Sequence, residues 1–358
     1  MAQTQSLNQE IYKKLLQIFQ DLFLENDSEP KPTLSDFIYS ILLFHLLGKK
    51  TPLPPDTLQA WIQKLRNTQQ ANGFFILTEN ETAAAQLEST ALAITILKIL
   101  DSDLKYPIYD ARRFEKFDHI ESWISQTNCL SPTENTTHQD AIWHGKSIVS
   151  MATILNKSFL DGLIDNPGLS YFIDCCDATA NPDTGTWVPS GSEWRQPGII
   201  DVFYRMQTYN FWNRQLPYPH KMLHSVFSVQ NWNGHFGAAK ENYLITDLAA
   251  ISIMVTNYQQ ESFHQYRIRR SLKRVAGAMN KLIKKNSGWD LAPFLEIKWK
   301  FSLDDCHPSP VENQTQSLYF LALFYSILGM AKIEDVLFST DSHVNNLTPC
   351  FCCLPQNE

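Results

Sequence analysis

One short stretch contains the residues best suited to acid chemistry. Residues 302–308 read Ser-Leu-Asp-Asp-Cys-His-Pro, and an apolar helical pattern begins just after them at Val311. The positive end of a helix lowers the pKa of a nearby carboxyl group, whereas burial and repulsion between adjacent carboxylates raise it. One of Asp304 and Asp305 could therefore stay protonated and act as a general acid. The alternative is that both residues only cap the helix.

Further acidic residues stand at the starts of other apolar helical patterns. Aromatic residues are close to them in sequence, and an aromatic face with a carboxylate can stabilise a cation. The same groups could hold a sugar or an amine, and any single acid could be a helix cap. Asp247 is the strongest candidate for a cation-stabilising residue, because apolar residues surround it. The predicted substrate-binding residues are Glu88, Asp140, Trp143, Glu193, Trp194, Asp201, Tyr204 and Trp232.

These residues must be positioned by helices. Amphipathic stretches with helical spacing alternate with longer stretches that are apolar nearly all round, such as residues 90–100, and the latter pattern is typical of helices buried on every side. No stretch shows the period-two alternation of a sheet. The sequence therefore predicts an all-α fold of alternating outer and inner helices.

A repeated pattern separates the helices. It reads Gln, three residues, Gly, one residue, aromatic, at residues 69–75 and again at 230–236. Weaker copies occur at 181–187, 285–289 and 126–130, so the markers recur about every 50 to 60 residues, enough for about six two-helix units. We interpret the Gly as a left-handed helix C-cap, the aromatic as packing under the next helix, and the Gln amide as a partner for a neighbouring helix end.

This arrangement resembles the terpenoid cyclase and protein prenyltransferase superfamily. The resemblance implies an (α/α) toroid or barrel of about six helix pairs with a central cavity, and a site at the mouth where the inner helices begin. The expected domains are an N-terminal helix packed on the outside (1–30), the toroid (31–335) and a C-terminal tail (336–358).

The resemblance also implies a chemistry. Cyclases that protonate an alkene carry an Asp-x-Asp-Asp motif whose middle Asp is the acid, and the matching letters here place Asp304 in that role with Asp305 or His307 as its partner. The first Asp of that motif is Ser302 in this chain. The resemblance thus predicts an enzyme, a cyclase-like isomerase or lyase that needs no cofactor, on a small, partly apolar substrate such as an isoprenoid.

Three alternatives remain open. Protein prenyltransferases bind zinc through an Asp-x-Cys pair and a distant His, which Asp304, Cys306 and His343 could supply. A glycan-acting enzyme is the second alternative, because sugar hydrolases also use pairs of carboxylates. The third is a non-catalytic scaffold that binds a partner in its cavity or on its rim.

Composition narrows the possible partners. The net charge of −7 and the pI near 5.8 argue against nucleic acid. The basic residues between 267 and 274 fit a solvated helix face, with phosphate binding as the lesser alternative. The longest apolar runs, 37–47 and 318–330, fall short of the roughly 18 residues of a membrane span. The polar first eight residues and the odd number of cysteines, seven, favour a cytoplasmic protein. The sequence does not indicate an oligomeric state.

Overall fold

The computed structural model describes residues 32–77, 81–108, 116–126, 138–164, 166–237, 243–258 and 264–285, together with single positions between 13 and 23 and position 111. Within these ranges the chain is all-helical: ten α-helices and one 3₁₀ turn are present, and the part described contains no strand. The prediction of an all-α fold is confirmed. In chain order the helices are α1 Leu34–Leu46, α2 Pro55–Asn67, α3 Ala83–Ile99, α4 Phe117–Gln126, α5 His138–Leu160, α6 Asn166–Ala178, α7 Arg195–Phe211, α8 Pro219–Ser228, α9 Tyr243–Tyr258 and α10 Gln265–Lys285.

Helices that are buried nearly all round alternate with helices that bury one stripe. In α3, every residue from Ser89 to Leu97 is buried, whereas α2 buries only Ile62 and Leu65. The difference follows from composition, because α3 consists mostly of Ala, Leu and Ile while α2 carries charged and amide side chains on most of its surface. The predicted alternation of amphipathic and buried helices is present in the described ranges.

The buried helices are neighbours of one another in chain order. Helix α1 packs on α3, α3 on α5, α5 on α7, and α7 on α9, and the α5–α7 contact is the most extensive. The amphipathic helices cover this row: α2 lies on α1, α6 on α5, α8 on α7 and α9, and α10 on α9, while α4 packs on α6. The N-terminal turns of α7 and α9 lie side by side, and the Gln196 amide of α7 donates a hydrogen bond of 3.1 Å to the Thr246 hydroxyl of α9.

The repeated pattern forms a tight turn between an amphipathic helix and the next buried one. Each turn is closed by an isolated antiparallel bridge, Gln69 with Phe75 and Gln230 with Phe236. The Gly lies beyond the helix end and is not its C-cap, because α2 already ends at Asn67. That part of the interpretation was wrong, although the left-handed conformation holds, with φ of +94° at Gly73 and +101° at Gly234.

Each turn also contacts the next amphipathic segment. A Cβ atom on Gly73 would lie 2.4 Å from the Pro107 carbonyl oxygen, and one on Gly234 would lie 2.6 Å from the Arg274 carbonyl oxygen. The degenerate copy behaves alike, since a Cβ on Gly185 would lie 2.7 Å from the Met222 nitrogen at the start of α8. The glycines are therefore required by both backbone conformation and close approach.

The Gln amide holds the turn in place, but the prediction that it bonds a neighbouring helix end was wrong in both copies. Gln69 donates to the carbonyls of Gly73 (2.9 Å) and Tyr106 (2.8 Å) and accepts from the amides of Lys105 (2.8 Å) and Tyr106 (3.0 Å), in the segment that follows α3. Gln230 donates to Gly234 (3.0 Å) and to Ser271 (3.1 Å), which lies inside α10 and not at its end.

The first segment contacts the outside of this assembly at the positions that are described. The Phe23 ring packs edge-on against Trp61 with 5.3 Å between ring centroids, and Trp61 in turn stacks on Phe37 of α1. Among the described helices, none is both long and apolar enough to cross a membrane.

Candidate functional site

The structure brings three of the predicted substrate-binding residues together around a lysine. The Lys146 ammonium of α5 lies 2.8 Å from the Glu88 carboxylate of α3, 4.8 Å from the centre of the Trp143 ring and 5.7 Å from that of Tyr204 on α7. The side chains of Lys146 and Glu88 are 8% and 12% exposed. We call these four residues the Lys146 cluster.

The cluster is built by three consecutive buried helices. Glu88 is in the second turn of α3, Trp143 and Lys146 are one turn apart on α5, and Tyr204 is in the middle of α7.

One oxygen of the cluster has no partner. Glu88 Oε1 bonds Lys146, whereas its Oε2 is buried and makes no hydrogen bond. Glu88 Oε2 is one of seven buried side-chain oxygens without a hydrogen bond in the described part of the chain, and its carboxylate is held beside Lys146. The sequence analysis missed Lys146, because one lysine inside an apolar helix gives no periodic signal.

Asp201 is engaged in a buried ion pair of its own. Arg205, one turn further along α7, approaches its two carboxylate oxygens with Nε at 2.9 and 3.1 Å, and both side chains are 1% exposed. The Arg205 guanidinium lies 4.8 Å above the Trp187 ring of the degenerate turn. Burial raises the pKa of Asp201 to about 6 despite the arginine. Because both of its oxygens are bound by Arg205 of the same helix, the Asp201 carboxylate stabilises α7 and does not face a substrate.

Asp247 is wholly buried near the start of α9, and it binds the second Gln-Gly-aromatic turn, which spans residues 230–236. Its Oδ1 accepts the Phe236 amide at 2.7 Å, and its Oδ2 lies 2.6 Å from His235 Nδ1. Burial raises its pKa to about 6, opposed by the bonds to His235 and Phe236. In the first turn, the Phe75 amide bonds the Thr90 hydroxyl at 3.0 Å instead. The Thr90 hydroxyl in the first turn and the Asp247 carboxylate in the second turn thus accept the equivalent backbone hydrogen bond.

The equivalence of Thr90 and Asp247 can be tested on stability. Asp247→Ala is expected to lower the free energy of unfolding by about 2–3 kcal/mol, because it leaves buried polar groups without a partner. The double variant His235→Phe with Asp247→Thr reproduces the first turn, where Phe74 and Thr90 occupy these positions, and should stay within about 1 kcal/mol of the parent in urea unfolding. A double variant as unstable as Asp247→Ala would contradict the equivalence.

The other predicted residues do not join the cluster. Trp232 is 93% exposed on the second turn, and Glu193 is exposed in the 3₁₀ turn before α7. Trp194 is half-buried and packs against Ala141 and Val188. Asp140 belongs to the first turn of α5, but its side chain lies outside the described residues.

The predicted acid group also lies outside the described residues. Asp304, Asp305 and His307, and the alternative zinc ligands Asp304, Cys306 and His343, all follow residue 285. Their roles stay predictions. Within the ranges that are described, no group of three or more His, Cys, Asp or Glu side chains could hold a metal ion.

A cavity of about 470 Å³ lies apart from the cluster, between α3, α4, α5 and the first turn. Its volume falls in the range of small-molecule pockets. Apolar side chains, among them Phe74, Leu87, Trp123 and Met151, form most of its wall, and its polar groups are neutral amides, a hydroxyl and His119. None of the lining residues that the structure describes is Asp, Glu, Lys or Arg, and this described wall suits an uncharged, partly apolar ligand.

Comparison of the chain with protein-family models, with curated proteins and with solved structures finds no match. Similarity therefore identifies neither the family nor the activity, and the argument for function depends on the residues described above.

Proposed function

We propose that the chain is an (α/α)-toroid enzyme, terpene cyclase-like, that cyclises or isomerises a small, partly apolar substrate, with isoprenoids as the first class to test. The order of packing supports the toroid: five buried helices follow one another side by side over the described part of the chain, and α1, α5, α7 and α9 are each covered by an amphipathic helix. In such an assembly the buried helices would surround the substrate.

The open oxygen of Glu88 carries the proposal. The ion pair with Lys146 requires the carboxylate form of Glu88, which is the form that accepts a proton. Its neighbours Trp143 and Tyr204 offer apolar ring surface at the same place. In the proposed reaction Asp304 donates a proton to an alkene and forms a C–H bond, ring closure forms a C–C bond, and Glu88 removes a proton from the resulting cation. The product is then an isomer of the substrate.

The test is turnover by the full chain of a panel of linear isoprenoid hydrocarbons, alcohols and diphosphates, with oligosaccharides as the second panel and mass spectrometry as the readout. We expect isomeric products from the isoprenoid panel. Glu88→Gln and Asp304→Asn should each lower turnover by about 10²–10⁴-fold, the usual contribution of a positioned proton-transfer group. Glu88→Asp should recover part of the activity.

The matched control is Asp118→Asn, the same carboxyl-to-amide change at an exposed position of α4. Its turnover should equal that of the parent, and circular dichroism should show all variants equally folded. Parent-like turnover in both Glu88→Gln and Asp304→Asn would refute the assignment of roles. Conversion of oligosaccharides alone would refute the substrate class.

A non-catalytic binding toroid is the second candidate function, and the uncharged cavity beside the first turn favours it. The described wall of that cavity is mostly apolar surface, and its polar groups are amides, a hydroxyl and the His119 imidazole, without a carboxylate or an amine. Tight binding of an isoprenoid alcohol without any turnover, unchanged in Glu88→Gln, would establish this function in place of the enzyme.

A further inference from the structure

Positive charge in this acidic chain is concentrated on one helix. Helix α10 carries eight Lys and Arg and no Asp or Glu in 21 residues. The other 337 residues hold 22 Lys and Arg against 37 Asp and Glu, a net charge of −15. A separation of this size is not needed for solubility, and it gives one face of the molecule a field opposite to that of the rest.

The six cationic side chains of α10 that are described are all exposed, and the apolar side of the helix belongs to the core. Ile268, Leu272, Val275 and Met279 are fully buried and recur at helical spacing. The opposite face holds the exposed positions, which are Tyr266, Arg267, Arg269, Arg270, Lys273, Arg274, Gly277 and Lys281. We call these eight residues the α10 basic face.

Two exposed aromatic rings accompany this face. Tyr266, in the first turn of α10, is 78% exposed. Trp232 is 93% exposed, and its backbone carbonyl accepts a hydrogen bond from the Arg274 guanidinium at 3.2 Å. Tyr266 and Arg274 are eight residues apart, which is about 12 Å along the helix. Tyr266 therefore lies at the N-terminal end of the α10 basic face, and the Trp232 backbone lies beside its middle.

We propose that the α10 basic face docks on an anionic membrane surface, with Trp232 and Tyr266 as its interfacial anchors. Clusters of Lys and Arg bind the negatively charged headgroups of phospholipids, and Trp and Tyr favour the boundary between headgroups and acyl chains. The apolar side of α10 is occupied by the core, so the helix lies on the headgroups and only the two rings enter more deeply.

Membrane lipid fits this face better than nucleic acid does. The net charge of −15 on the other residues repels a long polyanion that would extend beyond the helix, whereas a membrane contacts only the face turned towards it. The proposal is independent of the proposed enzymatic activity, because none of the residues involved belongs to the Lys146 cluster.

The experiment measures co-sedimentation of the full chain with vesicles. We expect binding to vesicles that contain about one quarter phosphatidylserine and none to phosphatidylcholine alone. Binding should disappear at about 1 M salt, where the screening length falls to about 3 Å from about 10 Å at 0.1 M. The triple variant Arg269→Glu, Arg270→Glu and Lys273→Glu should weaken partitioning by at least about 10²-fold, and Trp232→Ala should weaken it several-fold.

The matched control makes the same change of charge elsewhere. Lys49, Lys50 and Lys98 are exposed on the first and third helices or just beyond them, and their replacement by Glu should leave vesicle binding near that of the parent. Three results would each overturn the proposal: no binding to anionic vesicles, an equal loss in both triple variants, or tighter binding of the parent to RNA than to vesicles at the same salt.

Discussion

Arg205→Met is expected to lower the free energy of unfolding by about 3–5 kcal/mol at pH 8, as measured by urea denaturation. The substitution removes the partner of Asp201 but keeps most of the side-chain volume, so it leaves a carboxylate that is 1% exposed without its counter-charge. Breaking a buried ion pair on one side is costly, because the remaining charge stays desolvated. The apolar stem of methionine still covers the Trp187 ring, so lost packing contributes little.

The same variant has a predictable dependence on pH. The folded-state pKa of Asp201 is raised by burial to about 6, above its value in the unfolded chain. A group of this kind stabilises the fold in its protonated form, and that contribution is lost as pH rises through the folded-state pKa. Without Arg205 the pKa rises further, so the destabilisation should be clearly smaller at pH 5 than at pH 8.

The double variant Asp201→Asn with Arg205→Met is the control for this result. It removes both charges, and replacing a whole buried pair is often close to neutral. We expect it to recover at least half of the stability lost at pH 8 in Arg205→Met, and its own free energy of unfolding should lack the fall between pH 5 and pH 8 that titration of Asp201 produces. A single variant that costs less than about 1 kcal/mol, or costs the same at both pH values, would show that Asp201 reaches solvent.

This ion pair lies at the closest approach of the two helices that pack most extensively. A Cβ atom on Gly145 of α5 would lie 2.7 Å from Asp201 Oδ1 and 2.9 Å from the Asp201 carbonyl oxygen. Gly145 is followed directly by Lys146, which reaches towards Glu88 on α3. The residues 145 and 146 therefore link α5 to its neighbours on both sides, and the geometry of the Lys146 cluster depends on the packing that Gly145 permits.

The helical fold could be predicted from the sequence because burial and helix period leave a local signal. Residues 90–97 are apolar or small without interruption, and this pattern alone distinguishes a buried helix from an amphipathic one such as α2. The two turns could be found because each contains a glycine with a positive φ that lies against a neighbouring backbone. Another residue would be strained there, so the same Gln, Gly and aromatic pattern occurs at both positions.

The candidate site could be predicted only in part. Glu88 was selected as an acid at the start of an apolar helix, and Trp143 and Tyr204 were selected as aromatic residues close to such acids. Neither rule requires tertiary information. Lys146, Arg205 and His235 were missed. Each is a single polar residue whose role depends on an acidic partner, respectively Glu88, Asp201 and Asp247, and the sequence pattern does not show that pairing. Trp232 was chosen for its residue type, which does not reveal that its ring faces solvent.

The Gln residues of the two complete turns give the second large effect. Gln69→Ala is expected to cost about 3–5 kcal/mol, because Gln69 is 4% exposed and serves two backbone carbonyls and two backbone amides. Each buried backbone group left without a partner costs on the order of 1–3 kcal/mol, and rearrangement recovers part of the total. Gln70, the next residue, is exposed, so Gln70→Ala should change stability by less than about 0.5 kcal/mol and serves as the matched control.

The second turn predicts an order of effects as well as a size. Gln230 donates to two carbonyls and has only a long contact of 3.4 Å from Arg274 at its oxygen, and its side chain is half-buried. Gln230→Ala should therefore cost about 1–2 kcal/mol, less than Gln69→Ala, when both are measured by thermal and urea unfolding. Equal free-energy costs of Gln69→Ala and Gln230→Ala would contradict this order. They would mean that burial of the turn stabilises the contact between successive helix pairs, and that the number of hydrogen bonds of the amide does not matter. The turn would then be a packing device, and the Gln of the repeat would be dispensable wherever the Gly and the aromatic are kept, as at 181–187, where Asn181, Gly185 and Trp187 already form a turn without it.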